Sequence, residues 1–256
     1  MKPPPSATRI NLKRPRSACA ICGLRDLCLP VGLDAVDIHV MDKIITQQRT
    51  LARGDYLFHN EAPLLALYAI RAGFLKTSVL RADGHEQVTG FHMRSDLLGL
   101  DAIGNGRHRC NAIALDDGEV CEIPLDTLER LSREIPSLQQ HFHRIMSHEI
   151  AHGHGMMLLL GGMRAEERLA AFLLELSRRF AACGYSSTEF VLHMTRAEIG
   201  SYLGMTLETV SRCLSHLQAG KLIEVHTRLI RITDMAGLKS AAGCRADTCQ
   251  ADMQHA

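Results

Sequence analysis

The chain has 256 residues, 46% of them apolar, enough to build one large or two ordinary cores, so it reads as globular. Its formal net charge of +1 neither favours nor excludes nucleic acid, because such binding depends on how charge is distributed. No apolar run approaches the roughly twenty residues of a membrane span. Nine cysteines behind a Met-Lys-Pro-Pro-Pro-Ser opening, with no apolar signal segment, point to a reducing, cytoplasmic setting.

Residues 1–18 carry prolines with Lys13, Arg14 and Arg16 and no helical or strand period, and read as a solvated arm. Cys19-Ala-Ile-Cys22 and Cys28 then place three thiols within ten residues, most of a metal site. Four thiolates complete an iron–sulfur cluster or a closed zinc site, so the fourth must come from Cys110, Cys121, Cys183, Cys213, Cys244 or Cys249. The C-x2-C pair fits one metal. The five-residue loop to Cys28 suits a polynuclear cluster better than a second zinc pair. A short amphipathic helix is expected over 33–45. From about Thr50 to Pro124, short apolar runs alternate with turn signals such as Arg53-Gly54-Asp55, Ala82-Asp83-Gly84 and Asp116-Asp117-Gly118. This punctuation predicts antiparallel hairpins closed into a barrel or double-sheet roll, with glycines 54, 73, 84 and 118 taking positive φ in turns.

Helical period returns from Leu125, broken near Pro136. Between Leu138 and Met163 two stripes compete: Phe142, Ile145, Glu149, His152, Met156, Leu159 and Met163, against His143, Met146, Ile150, Gly153, Met157 and Leu160. A helix apolar on two sides is buried on two sides, so one covers the β domain and the other meets a second copy. The second stripe, free of acidic residues, is the expected homodimer seam. Gly153 and Gly155 each cost such a helix about 1 kcal/mol relative to alanine, so the pairing is expected to be marginal. An all-helical unit follows. Thr195 and Glu198 form a capping box, Gly204 makes a turn, and a second helix starts from Thr206, giving a helix-turn-helix. Val210, Cys213, Leu214 and Leu217 form its buried face. Glu208, Ser211, Arg212 and Ser215 lie opposite, where arginine can pair with guanine and glutamate with cytosine. Two short strands, 222–225 and 229–232, add a wing.

Cys19-x2-Cys22-x5-Cys28, Tyr68-Ala-Ile-Arg71-x-Gly73, Thr89-Gly-Phe-His92, Val120-Cys121-Glu-Ile-Pro124, Ala165-Glu-Glu-Arg168-Leu-Ala170, Ser177-Arg-Arg-Phe180 and Glu208-Thr-Val-Ser-Arg212 stand in one order. From about Ala18 to Ile232 this resembles the fumarate and nitrate reduction regulators (FNR) of the CRP/FNR superfamily. The resemblance implies an α+β fold: a cyclic-nucleotide-binding-like β-roll with the cysteine loop over 19–136, a long dimerisation helix over 137–164 and a winged helix-turn-helix over 165–235, followed by a tail over 236–256. It also implies an oxygen-labile 4Fe–4S cluster on Cys19, Cys22, Cys28 and Cys121, RNA polymerase as a partner, and double-stranded DNA read as an inverted repeat of TTGAT-like half-sites. The chain is then a regulator and not an enzyme. The family's nucleotide grip is absent, the matching stretches reading Leu98-Gly-Leu-Asp101 and Arg109-Cys-Asn111, so no cyclic nucleotide is expected. Gly153 stands where the family commonly places an acidic residue, and His85 replaces an acidic residue of the loop that touches the polymerase. Rival readings are an iron–sulfur electron carrier or enzyme subunit, and a regulator with a zinc or disulfide switch.

Overall fold

A computed structural model describes residues 47–243. The expected arm, the thiols Cys19, Cys22 and Cys28, the helix over 33–45, and Cys244 and Cys249 lie outside those residues. Strands β1 (Gln47–Leu51), β3 (Ala66–Ala72), β6 (Leu97–Leu98) and β8 (Gly118–Pro124) form one antiparallel sheet in the order β1-β8-β3-β6. A second sheet has the order β2-β7-β4-β5, from β2 (Tyr56–Phe58), β4 (Leu75–Leu80), β5 (Glu86–His92) and β7 (Asn111–Ala114). The expected double-sheet roll is therefore present. Strand β3 shows why its sequence hides the period of two: Ala66, Tyr68 and Ile70 face the space between the sheets, while Leu67 and Ala69 face a helix-covered outer side. Both faces are apolar because both are covered.

Strand β1, Gln-Gln-Arg-Thr-Leu, has little apolar signal and escapes a pattern-based reading. It forms because β8 offers it a backbone ladder from Gln47↔Glu122 to Leu51↔Gly118. Gly118 departs from expectation, since it is not among the glycines with positive φ. A Cβ there would stand 2.6 Å from the Ala72 carbonyl oxygen, so the position needs glycine for close approach.

Helix α1 (Leu125–Glu134) and helix α2 (Pro136–Gly162) follow, separated by a proline at the start of α2 as the break near Pro136 predicts. Phe142 and Ile145 of α2 pack on the roll, and Met156 and Leu159 pack on the C-terminal core. The C-terminal unit comprises α3 (Ala165–Ala182), β9 (Glu189–Val191), α4 (Arg196–Leu203), α5 (Leu207–Ala219), β10 (Ile223–His226), β11 (Leu229–Ile232) and α6 (Met235–Ala241). The wing is a three-stranded sheet, β10-β11-β9, one strand more than expected. Beyond the expected boundary at 235, α6 buries Leu238 completely, and Ala242 just after it is also buried, in the core shared with α3. Short elements of this kind lack a periodic signal long enough to read.

Both caps form as expected. Thr195 Oγ1 accepts from the Glu198 amide and the Glu198 carboxylate accepts from the Thr195 amide, while Thr206 Oγ1 accepts from the Thr209 amide at 3.2 Å. The corner between α4 and α5 has no spare volume. Gly200 is buried, and a Cβ on it would lie 2.6 Å from the Met205 carbonyl oxygen. Gly200→Ala should therefore destabilise the C-terminal unit by about 1–3 kcal/mol, as overpacking does. Urea unfolding measures this, and a loss below about 0.5 kcal/mol would show that the corner relaxes around a methyl group.

Candidate functional site

Helix α5 divides into two faces. Val210, Cys213, Leu214 and Leu217 are buried, whereas Glu208, Arg212 and Ser215 are exposed and Ser211 is half-buried. The Glu208 carboxyl is held below its ordinary pKa by its own backbone N–H and by the Thr206 hydroxyl, so it presents a charged acceptor. Arg212 Nη2 donates to Thr209 Oγ1 at 3.3 Å, leaving the rest of its donor fork facing outward. Ser211 Oγ accepts from Arg196 Nη1 at 3.1 Å. Arg196 was not among the residues expected at this face. Its signal was a cation in the first turn of α4, where the helix dipole disfavours positive charge, so something other than helix stability accounts for it.

On α2 the two stripes have separate fates. Phe142, Ile145, Met156 and Leu159 are used by the chain's own cores. Of the other stripe, His143 is exposed, Met146 and Gly153 are half-buried, and Ile150, Met157 and Leu160 are 61%, 71% and 42% exposed. Leu158, outside both stripes, is 75% exposed, which widens the apolar surface at the C-terminal end of the helix.

The cysteines occupy contrasting places. Cys121 lies on β8, paired with Gln48 on one side and Ala69 on the other. It is half-buried on the helix-covered face and packs into the same cluster as Phe142 and Ile145 of α2. Cys110 is buried and its thiol donates to Asp101 Oδ2 at 3.6 Å. Burial first, then the Asp101 charge and hydrogen bond, push its pKa up to about 12. Cys183 and Cys213 are also raised, burial being the main cause. Among the described residues no group of three or more metal-binding side chains occurs, and no helix is long and apolar enough to cross a membrane.

Residues 48–134 match the cyclic nucleotide-binding domain and residues 167–241 the Crp-like helix-turn-helix domain. The chain is 46% identical over 235 residues to the transcriptional regulatory protein btr of Bordetella pertussis, covering 92% of this chain and 97% of that protein. The chain belongs to the CRP/FNR family of transcription regulators. Within that family it is also 44% identical over 225 residues to the fumarate and nitrate reduction regulatory protein of Escherichia coli, covering 88% of this chain and 90% of the relative. FixK2 of Bradyrhizobium japonicum shares the fold, with a TM-score of 0.70 and 30% identity over 76% of this chain and 96% of that one. Like its CRP/FNR relatives, the protein is a DNA-binding regulator and not an enzyme.

The thiol environments predict a measurable order of reactivity. Cys110 should resist iodoacetamide at pH 8 in the folded protein and react once unfolded, because its thiolate is disfavoured only in the fold. Peptide mass spectrometry checks this. Since its folded pKa lies above the ordinary value of 9.0, the stability it contributes is complete below pH 9.0 and is lost as the pH rises towards about 12.

Proposed function

We propose that this CRP/FNR regulator responds to oxygen. A 4Fe–4S cluster on Cys19, Cys22, Cys28 and Cys121 biases dimerisation through α2, and the dimer reads an inverted repeat of TTGAT-like half-sites with Glu208, Ser211 and Arg212. When bound, the cluster supplies the oxygen-labile group whose loss reports air.

The observation that carries the sensing half is the position of Cys121, because its side chain shares an apolar cluster with Phe142 and Ile145 of the dimer helix. A change at the thiol can thereby reach α2 through the buried apolar cluster against which both pack. Cys110 fits the fourth ligand position poorly: a ligand thiol must deprotonate, and burial beside Asp101 opposes that. The sequence that carries the other three thiols leads into the roll through β1, whose Gln48 is the register partner of Cys121. Asp101 also supports a sensor without a cyclic nucleotide. Its carboxylate accepts from the Arg109 amide at 2.7 Å and from Cys110, so it sets a negative charge in the stretch where a phosphate grip would lie.

Dimerisation is supported by the exposed half of α2. Ile150, Met157 and Leu160, with Leu158 beside them, make an apolar surface exposed among the described residues, and such surfaces mark association. His143, Met146, Ile150, Gly153, Met157 and Leu160 then face their counterparts in a second copy. With two copies of α5 about one DNA turn apart, the reading faces address successive major grooves. RNA polymerase is the remaining partner, met through the loop Asp83-Gly84-His85, where the His85 amide donates to Asp83 Oδ1 at 3.0 Å. The protein acts in the cytoplasm, where its DNA is.

Anaerobically purified protein should be brown and bleach in air. Cys121→Ser should lose bound iron and sulfide, whereas Cys110→Ser should keep both in anaerobic assays. Full loading of Cys121→Ser would remove that thiol from the ligand set. On the DNA side, Arg212→Ala should weaken binding by about 1–3 kcal/mol and relax preference at one guanine. Glu208→Ala should lose discrimination at its base pair while keeping or gaining affinity for nonspecific DNA, because a carboxylate repels phosphates. Anaerobic titrations at fixed salt on single-base variants decide this. Equal losses for both variants on every sequence would show that the face reads no bases.

A further inference from the structure

The sensor and the DNA-binding unit are joined covalently by little: α2 ends at Gly162 and α3 begins at Ala165, leaving Met163 and Arg164 in extended conformation. Two exposed glycines, Gly161 and Gly162, precede that joint. Its backbone alone does not fix the orientation of the DNA-binding unit, so orientation must come from lateral contacts.

Polar contacts of this kind include Arg179 with Asp96 and His193 with Asp116, and one set acts directly on the first helix of the helix-turn-helix. Lys76 of β4 is only 7% exposed, and its ammonium lies 2.9 Å from Glu86 Oε2 of β5 and 3.1 Å from Glu198 Oε1 of α4. A buried ammonium requires charged partners, since losing one leaves an uncompensated charge out of water. One partner here belongs to the sensor and the other to the first helix of the helix-turn-helix. One turn further along α4, the Ser201 hydroxyl accepts from the Val88 amide at 2.9 Å and donates to the Glu86 carbonyl at 3.0 Å. The Gln87 side-chain amide donates to the Ser201 carbonyl. Beneath this polar layer Phe91 meets Tyr202 edge-on, ring centres 5.1 Å apart. Helix α4 carries α5 with it, because the Gly200–Met205 corner is closed and Arg196 bonds Ser211 on the reading face. Whatever fixes α4 therefore fixes the reading helix.

We propose that Lys76 is a positioning residue for DNA recognition: through Glu198, and supported by Ser201, it locks the helix-turn-helix to the sensor hairpin in one orientation, so that a dimer holds a single half-site spacing. The lock is a property of one chain, while its effect on spacing rests on the dimeric reading above.

Two measurements test it on the full-length protein. Glu198→Gln is the main variant, because the glutamine oxygen can still accept from the Thr195 amide and keep the helix cap. Lys76→Met and Ser201→Ala accompany it. Without DNA, amide hydrogen exchange across 196–203 and at Val88 should speed up about fivefold or more in Glu198→Gln. With DNA and no oxygen, the affinity ratio between the preferred inverted repeat and the same repeat with one base pair inserted should fall about fivefold or more. Affinity for a single half-site should stay the same, and Lys76→Arg should retain the wild-type ratio. A merely structural role would lower affinity on both repeats together and leave the ratio unchanged. Unchanged exchange and an unchanged ratio in Glu198→Gln overturn the lock. A wild-type protein with no preference for an inverted repeat overturns the dimeric reading instead, and the exchange rates then decide the lock alone.

Discussion

Helix α2 carries apolar side chains on two faces, and among the described residues only one of them is packed against. The face used internally spans the molecule: Phe142 and Ile145 close the roll, and Met156 and Leu159 close the C-terminal core. The same helix therefore packs on both the roll and the C-terminal unit and leaves Ile150, Met157 and Leu160 exposed. Gly153 and Gly155 weaken this helix and have open space around them, so its outer face gains no side chain from them.

Electrostatics divides the cysteines by what surrounds them. Cys110 faces a carboxylate in a buried site, next to His108, whose ring stacks on Phe58 with centres 3.7 Å apart, and burial together with that carboxylate keeps its thiol protonated. Cys183 donates to the Arg94 carbonyl at 3.4 Å, and Cys213 sits in the apolar face of α5. Cys121 differs in lying on a central strand, on the face covered by α1 and α2. The distinction is one of environment, since the four residues are chemically identical.

Between the two halves, apolar and ionic contacts have different consequences. Phe74, Val88, Phe91, Met93 and Leu115 of the roll belong to the same apolar core as α3, α4 and α5, which supplies attraction with little direction. Direction comes from bonds with defined donors: Lys76 with Glu198, Arg179 with Asp96 and the Phe91 carbonyl, and His193 with Asp116 at 3.0 Å. Such bonds weaken steeply with misalignment, whereas apolar contact does not depend on direction.

Much of this was legible in the residues. The helix-turn-helix could be read because Thr195 with Glu198, Gly204 and Thr206 are local signals that act over one turn, and because the apolar period of α5 extends over about two turns, from Val210 to Leu217. The roll was legible from its turns, whereas β1, β9 and α6 were not, since Gln-Gln-Arg-Thr-Leu, Glu-Phe-Val and a seven-residue helix owe their structure to neighbours distant in sequence. The three clustered thiols and the family likeness pointed to a site, yet spacing could not separate Cys121 from Cys110. The environments of the two thiols do differ, through which face of β8 meets α2 and through Asp101 folding back against Cys110, contacts that exist only after the sheets close. The same holds for Lys76: a lysine in a strand reads as a solvated charge until β4, β5 and α4 enclose it between two carboxylates.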